Sequence, residues 1–324
     1  MKAIVCRQFG PLENLEFSEL PSRPLAPNEV RVALEYAAVN LADELMVRGE
    51  YQLKPPLPFS PGSNGAGVVK ETGTAVTQVR VGDRVSAGFF YGTYAEELVT
   101  DEDKVTLVPS CVTSEQAAAL RIAHGTALFA LQTRAQMRAG DIVLVTGAAG
   151  GVGLAAVEIA RMLGATVIAC AGSATKGEVA RRYGAHHVID YARENVKQRV
   201  LEISDGRGAD IILDVLGGEL FRTLLGSMSF GGRLLVVGFA SGVIPAIPAN
   251  IVLLKNVSVC GVFFGAWSGA NPRAATELHG RILDWCQEGK LDPHISRVFP
   301  LASAVEAMRF VGSRQATGRV LLAI

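Results

Sequence analysis

Apolar residues recur in two rhythms along this chain. In the first 120 residues the rhythm is short and alternating. Val30-Arg31-Val32-Ala33-Leu34 alternates; Gly67-Val68-Val69 and Arg84-Val85-Ser86-Ala87 follow, with Gly82-Asp83 as a turn between runs. Alternation bounded by Gly and Pro predicts half-buried strands. Pro55, Pro56, Pro58 and Pro61 fall within seven residues and predict a loop. From about residue 121 to 265 the rhythm changes. Compact apolar runs at Asp141–Thr146, Thr166–Ala171, His187–Asp190, Asp210–Val215 and Arg233–Gly238 predict strands. Helical patterns lie between them: one through Val157, Ile159, Ala160 and Leu163, stopped by Gly164, then Lys176–Tyr183, Asn195–Ile203 and Leu220–Met228. Such alternation predicts an α/β, doubly wound parallel sheet with helices on both faces. The last zone, 266–324, predicts helices at Ala274–Glu288 and Leu301–Val311 and a strand at Gly318–Ile324. The chain is therefore expected to leave a mostly β domain (1–120), build the α/β domain (121–265), and return to the first (266–324).

Two apolar stretches need separate treatment. Leu234–Leu254 carries no charge over 21 residues, long enough for a bilayer. Pro245 and Pro248 would break the hydrogen-bond ladder that lipid demands, so the expectation is strand, loop and a second apolar element, with no membrane contact. Val257–Phe264 reads equally as an edge strand or an inner one.

Composition adds limits. A length of 324 residues suits two domains. Lys plus Arg equals Asp plus Glu at 31 each, but residues 121–265 hold 14 cations and 10 anions, and the remainder 17 and 21. The middle domain is the basic one, as a polyanionic ligand would favour, while nothing suggests nucleic acid. Cys6, Cys111, Cys170, Cys260 and Cys286 are scattered, without a Cys-x-x-Cys pair, so neither zinc knuckle nor disulfide framework is expected. The first ten residues lack the pattern of a signal peptide. A reducing, cytoplasmic location is the expectation.

The strongest local chemistry is Val145-Thr146-Gly147-Ala148-Ala149-Gly150-Gly151-Val152-Gly153, between a strand and a helix. A pyrophosphate needs backbone N–H groups at a helix N-terminus with no Cβ in the way. At the end of the second strand a unit that binds NAD usually places an acid for the ribose hydroxyls. Here the segment is Cys170-Ala171-Gly172-Ser173-Ala174-Thr175-Lys176. A small residue, a hydroxyl and a cation suit a 2′-phosphate and so NADPH; the bland alternative for Lys176 is a solvated first-turn residue.

Four segments together resemble the zinc-free quinone oxidoreductases (the zeta-crystallin-like group) of the medium-chain dehydrogenase/reductase superfamily. They are Asn40-Leu41-Ala42-Asp43 with Arg48-Gly49-Glu50-Tyr51, the block Pro61-Gly62-Ser63-Asn64-Gly65-Ala66-Gly67, the glycine loop at 148–153, and Gly238-Phe239-Ala240-Ser241-Gly242 with Leu253-Leu254-Lys255-Asn256. The resemblance implies a GroES-like first domain, a Rossmann domain, a cleft between them, and a homodimer pairing Rossmann edge strands. Alcohol dehydrogenases of the superfamily carry Gly-His-Glu where this chain has Gly62-Ser63-Asn64, so no metal is expected. Without a Lewis acid, the suitable reaction is hydride delivery to a quinone or a conjugated carbonyl.

The resemblance also implies site residues. Asn40 would reach the nicotinamide, or be a turn residue. Thr126 would cap a helix, and bond the carboxamide. Gly147, Ala149, Gly150, Gly151, Val152 and Gly153 would hold the pyrophosphate, and Gly172, Ser173, Lys176 and Tyr191 the adenosine 2′-phosphate end. Gly238 would lie on the nicotinamide side, where Phe239 and Phe264 wall the pocket or pack in a core. Arg314 would reach the cofactor. Tyr51 stands 11 residues after Asn40, the spacing of a proton-donating tyrosine in enoyl thioester reductases of the superfamily. It is either that donor or an aromatic lining. Several quinone reductases have tyrosine where this chain has Leu45. His124 is expected to be a hydrogen-bonded structural residue. The alternatives to NADPH-dependent quinone or enone reduction are enoyl thioester reduction and cofactor binding with little catalysis.

Overall fold

Val30, Val32 and Leu34 are buried while their neighbours are not, the mark of a strand with one face on a core. Ile142–Thr146, by contrast, is buried at all five residues, the mark of a central strand covered on both faces. These two strands anchor two different units.

The computed structural model describes all 324 residues. The first elements are β1 (Lys2–Cys6), β2 (Leu15–Glu19), β3 (Glu29–Val39), α1 (Leu41–Val47), β4 (Gly65–Thr72), β5 (Arg84–Ala87), β6 (Glu97–Asp101), β7 (Val105–Leu107) and α2 (Ser114–Leu128). Then come β8 (Ile142–Thr146), α3 (Gly151–Met162), β9 (Thr166–Ala171), α4 (Ala174–Arg182), β10 (His187–Asp190), α5 (Val196–Ile203), β11 (Ala209–Asp214), α6 (Leu220–Ser227), β12 (Met228–Val236), α7 (Ala249–Lys255) and β13 (Ser258–Gly261). The chain ends with α8 (Phe264–Ala270), α9 (Pro272–Gln287), β14 (Ile295–Pro300), α10 (Ala304–Gly312) and β15 (Arg319–Ala323). One unit comprises Met1–Ile122 with Gly265–Ile324, the other Ala123–Phe264.

In the first unit, seven strands form a sheet of order β14-β15-β3-β4-β5-β7, with β6 also on β3. The last strand lies antiparallel to β3, Val320 opposite Val39, so both chain ends build one sheet. Val39, Met46, Tyr94, Phe299, Met308 and Leu322 pack in its main core.

The second unit holds six parallel strands in the order β10-β9-β8-β11-β12-β13. The expected doubly wound α/β sheet is thus present. Its order reverses between β8 and β11, and a crevice at the carboxyl ends of those two strands is where such sheets hold ligands. Leu144, Ile168, Ile212 and Leu234 form the core with Phe221 and Leu224 of α6.

Two local expectations are corrected, and the strand–loop–apolar element division of 234–254 is met. The strand predicted to start at Arg233 starts at Met228, because Gly231 (φ +76°) sits inside it as an irregularity rather than ending it. The apolar run Val257–Phe264 is not one strand: β13 stops at Gly261 on the sheet edge, and Phe264 opens α8. The stretch 234–254 divides into the end of β12, a loop and most of α7, and no helix is long and apolar enough to cross a membrane.

Candidate active site

Gly147 follows β8 in left-handed backbone, φ +56°. A Cβ there would lie 2.6 Å from Cγ2 of Val215. Gly150 is the N-cap of α3 and donates its N–H to Gly147 O at 2.9 Å. Gly153, inside the first turn, lies so close that a Cβ would be 2.2 Å from Gly147 O. The first N–H groups of a helix have no intrahelical partner. Those of Gly151, Val152 and Gly153 thus emerge from a cradle without bulky side chains at Ala149, Gly150 and Gly151. The site fits a pyrophosphate group.

After β9, Gly172 packs against Tyr191, whose hydroxyl oxygen would be 2.6 Å from a Cβ on Gly172. Ser173 is the N-cap of α4, its Oγ accepting from Lys176 N–H at 3.4 Å. Gly172, Ser173, Lys176 and Tyr191 are therefore brought together, around a turn with no carboxylate of its own. Gly238 and Phe239 follow β12, and the ring of Phe239 lies against Gly217 (3.0 Å from a Cβ placed there).

In the first unit Asn40 is the N-cap of α1 and the centre of a buried network. Its N–H donates to Asp43 Oδ2 at 2.8 Å, and its Nδ2 lies within 3.3 Å of Asp43 Oδ2, Ser63 Oγ and Asn64 Oδ1. Ser63 Oγ donates to Asp43 Oδ1 at 2.7 Å and Tyr94 Oη to Asp43 Oδ2 at 2.9 Å. Asn64 Nδ2 donates to Ala118 O at 2.6 Å. Opposite them, Arg319 Nη2 donates to Asn40 Oδ1 at 2.8 Å. Asp43 and Arg319 are both buried, so the Asn40 carboxamide stands between a buried carboxylate and a buried guanidinium. Burial pushes the Asp43 carboxyl up against its hydrogen bonds, and lowers Arg319 to about 10 against the pull of the Asp43 charge. Arg319 Nε has no hydrogen-bond partner.

Tyr51 follows α1, its N–H on Leu45 O at 3.1 Å and its half-buried ring against the main core of this unit. Burial raises the phenol pKa, and the Asp43 charge raises it further. Leu45 itself is half-buried.

Two expectations change. Thr126 caps nothing: it is buried in the last turn of α2, and the cap is Thr113, whose Oγ1 accepts from Gln116 N–H while Gln116 Oε1 accepts from Thr113 N–H, both at 3.1 Å. The signal was Thr113-Ser114-Glu115-Gln116, a capping box. Phe264 is 4% exposed and packs on Phe129 with ring centroids 5.8 Å apart, a core contact of the second unit rather than a pocket wall. Arg314, at φ +59°, is on an exposed turn before β15. His124 bonds Glu158 through Nε2 at 2.9 Å, as a structural histidine would. No group of three or more His, Cys, Asp and Glu side chains is placed to hold a metal ion.

Two family descriptions match the chain: alcohol dehydrogenase GroES-like domain over residues 26–110, and zinc-binding dehydrogenase over residues 151–279. Over 324 residues it is 41% identical to quinone oxidoreductase-like protein 2 of Bos taurus, covering 100% of this chain and 92% of that one. The chain belongs to the quinone oxidoreductase family. It is an oxidoreductase of the medium-chain dehydrogenase/reductase superfamily, as the four segments implied. The solved quinone oxidoreductase of Pseudomonas syringae pv. Tomato DC3000 superposes with a TM-score of 0.94 at 32% identity, over 100% of this chain and 99% of that one. That of Escherichia coli, solved in complex with NADPH, superposes with a TM-score of 0.92 at 27% identity over the full length of both.

In this family member, sequence reasoning passed over Thr146, Asp214 and Arg319. Asp214 ends the apolar run of β11 and Arg319 opens that of β15, which was the available signal. Arg319→Leu would leave the Asp43 carboxylate buried without its counter-charge and cost about 3 kcal/mol in urea unfolding, while Arg319→Lys recovers part of the loss. A cost near zero for Arg319→Leu would show that the two charges do not sense each other.

Proposed function

We propose that the chain transfers a hydride from NADPH to quinones or conjugated carbonyls without a metal. The observation that carries the reading is the pair of turns at the carboxyl ends of β8 and β9: one is shaped for a pyrophosphate, and the other offers Gly172, Ser173 and Lys176 where an acid would select NAD. The NADPH complex of the Escherichia coli relative supports it. When bound, the cofactor supplies the hydride. The α3 N–H groups hold the pyrophosphate, Ser173 and Lys176 the 2′-phosphate, and Tyr191 flanks the adenosine. Gly238 and Phe239 serve the nicotinamide side, and Asn40, Thr126 and Arg314 complete the contacts. Ser63 and Asn64 stand where a zinc-using relative would place His and Glu, and both are committed to the buried network. An acceptor must therefore arrive already polarised by conjugation.

A second reading, reduction of enones or enoyl thioesters, is favoured by Tyr51. Burial and Asp43 keep its phenol protonated through the neutral range, so it can pass a proton to an enolate. NADPH consumption over paired quinones, enones and enoyl-CoAs tests both. Turnover is expected with quinones or small enones, and Tyr51→Phe should lower enone reduction about a hundredfold while sparing quinones. Tight NADPH binding with no turnover on any acceptor would leave a binding protein; equal, small effects of Tyr51→Phe on all acceptors would remove its donor role. For the cofactor, Lys176→Ala should raise the Kd for NADPH by about tenfold and leave NADH unaffected. Preference of the unaltered protein for NADH would overturn the assignment of Ser173 and Lys176.

We also propose a homodimer through β13. Val262 N–H bonds Val236 O, so by alternation the backbone of Val259 faces away from β12, and Leu253 and Leu254, just before β13, are highly exposed. Proline at an edge position removes an outward donor without breaking the inner ladder. Val259→Pro should therefore convert a dimer to a monomer in light scattering. A dimer that survives this change does not pair through β13. Five cysteines, all free, suit the reducing cytoplasm.

A further inference from the structure

One pair of side chains ties together two turns that the glycine pattern treats separately. Thr146, the last residue of β8, donates its hydroxyl to Asp214 Oδ1 at 2.6 Å. The same Oγ1 accepts the N–H of Val215 at 3.0 Å. Asp214, the last residue of β11, also accepts from Leu216 N–H at 3.0 Å and from Gly217 N–H at 3.2 Å. Thr146 is 0% exposed and Asp214 1%. The two strands are neighbours, with Val145 opposite Leu213, so the bond spans the point where the sheet order reverses.

The path continues on both sides. Toward the glycine loop, Val215 Cγ2 fills the space a Cβ on Gly147 would need. Toward the segment after β12, Ala240 N–H donates to Val215 O at 3.0 Å and Ser241 N–H to Leu216 O at 2.9 Å. Gly218 N–H returns to Val243 O at 3.0 Å. Gly217 and Gly218, at φ +65° and +67°, let the turn pass beneath Phe239 and Ser241. A bonded route thus runs from Gly147 to the 239–243 segment inside one unit. Gly172, Ser173 and Lys176 follow β9 and Tyr191 follows β10, two strands that lie on the far side of β8 from β11.

A turn cap alone accounts for the bonds from Asp214 to Leu216 and Gly217. It does not account for the hydroxyl of a neighbouring strand that is donor to the carboxylate and acceptor for the next N–H. We propose that Thr146 and Asp214 are positioning residues: they form a latch that fixes the spacing between the pyrophosphate turn and the nicotinamide-side segment, so that the two halves of the dinucleotide are gripped in register. The inference rests on the cofactor reading above.

Calorimetric titration with two probes separates the latch from general stability. NADPH spans the pyrophosphate turn and the nicotinamide-side segment; adenosine 2′,5′-bisphosphate reaches the Ser173–Lys176 end and, through its 5′-phosphate, the pyrophosphate turn, but not the 239–243 segment, so it does not sense the spacing between the two. Thr146→Val keeps the side-chain shape and removes both hydroxyl bonds. It should weaken NADPH about tenfold, the scale of one hydrogen bond to a charged group, and leave the bisphosphate within about twofold. Asp214→Asn should act in the same sense, and the double variant should be no weaker than the weaker single one, because the two act as one element. Thr146→Val alone suffices if Asp214→Asn does not fold. The latch is overturned if Thr146→Val binds NADPH as the unaltered protein does, or weakens both probes equally. If the unaltered protein binds neither probe, the cofactor reading itself falls, and the latch with it.

Discussion

The carbonyl oxygen of Gly147 occupies the space that a side chain on Gly153 would need, and the second unit is arranged around that contact. Because the helix can come so close, its N-terminal N–H groups emerge directly at the end of a fully buried strand. Val215 then packs into the space left by the missing Cβ of Gly147. The strand order reverses at the same place. Three glycines, one reversal and one valine thus produce an anion-binding corner from backbone alone, with no charged side chain in it.

The first unit solves a different problem. It buries a carboxylate and a guanidinium that never touch, with one carboxamide oriented between them, oxygen toward Arg319 and nitrogen toward Asp43. In a low dielectric that arrangement fixes which way the amide points, since the reversed amide would face donor with donor. Burial first, and then the charge of Asp43, raises the Tyr51 phenol and keeps it protonated.

The parts of this molecule legible from sequence are those set by neighbours in the chain. The strand–turn–helix at 141–163 and the capped turn at Ser173 follow from local spacing, and the six-strand sheet follows from the alternation of such units. What sequence reasoning missed are meetings across long separations: Thr146 with Asp214, 68 residues apart, and Asn40 with Arg319, 279 apart. Each is a polar residue in or beside an apolar strand, and nothing local names its partner. The capping role expected of Thr126 went to Thr113, and Phe264 took its core alternative, for a related reason. A threonine after a glycine looks like a cap until the helix is seen to begin twelve residues earlier, and a phenylalanine after an apolar run looks like a pocket wall until Phe129 is seen beside it. At Gly231 the local rule itself was too strict, because the register shift between β11 and β12 tolerates glycine inside a strand.

The engagement of Ser63 and Asn64 bears on how reversible this site's chemistry is. A metal site here would need an imidazole and a carboxylate at those positions. The first exchange removes the hydroxyl that donates to Asp43, and the second removes the amide that reaches Ala118 while adding a negative charge beside Asn40. Each step disturbs the packing between β3, the 61–64 turn and α2 before any ligand set is complete. Ser63 and Asn64 are thus structural residues of this unit, and exchanging either one gives up a buried hydrogen bond before the new side chain can serve any other purpose.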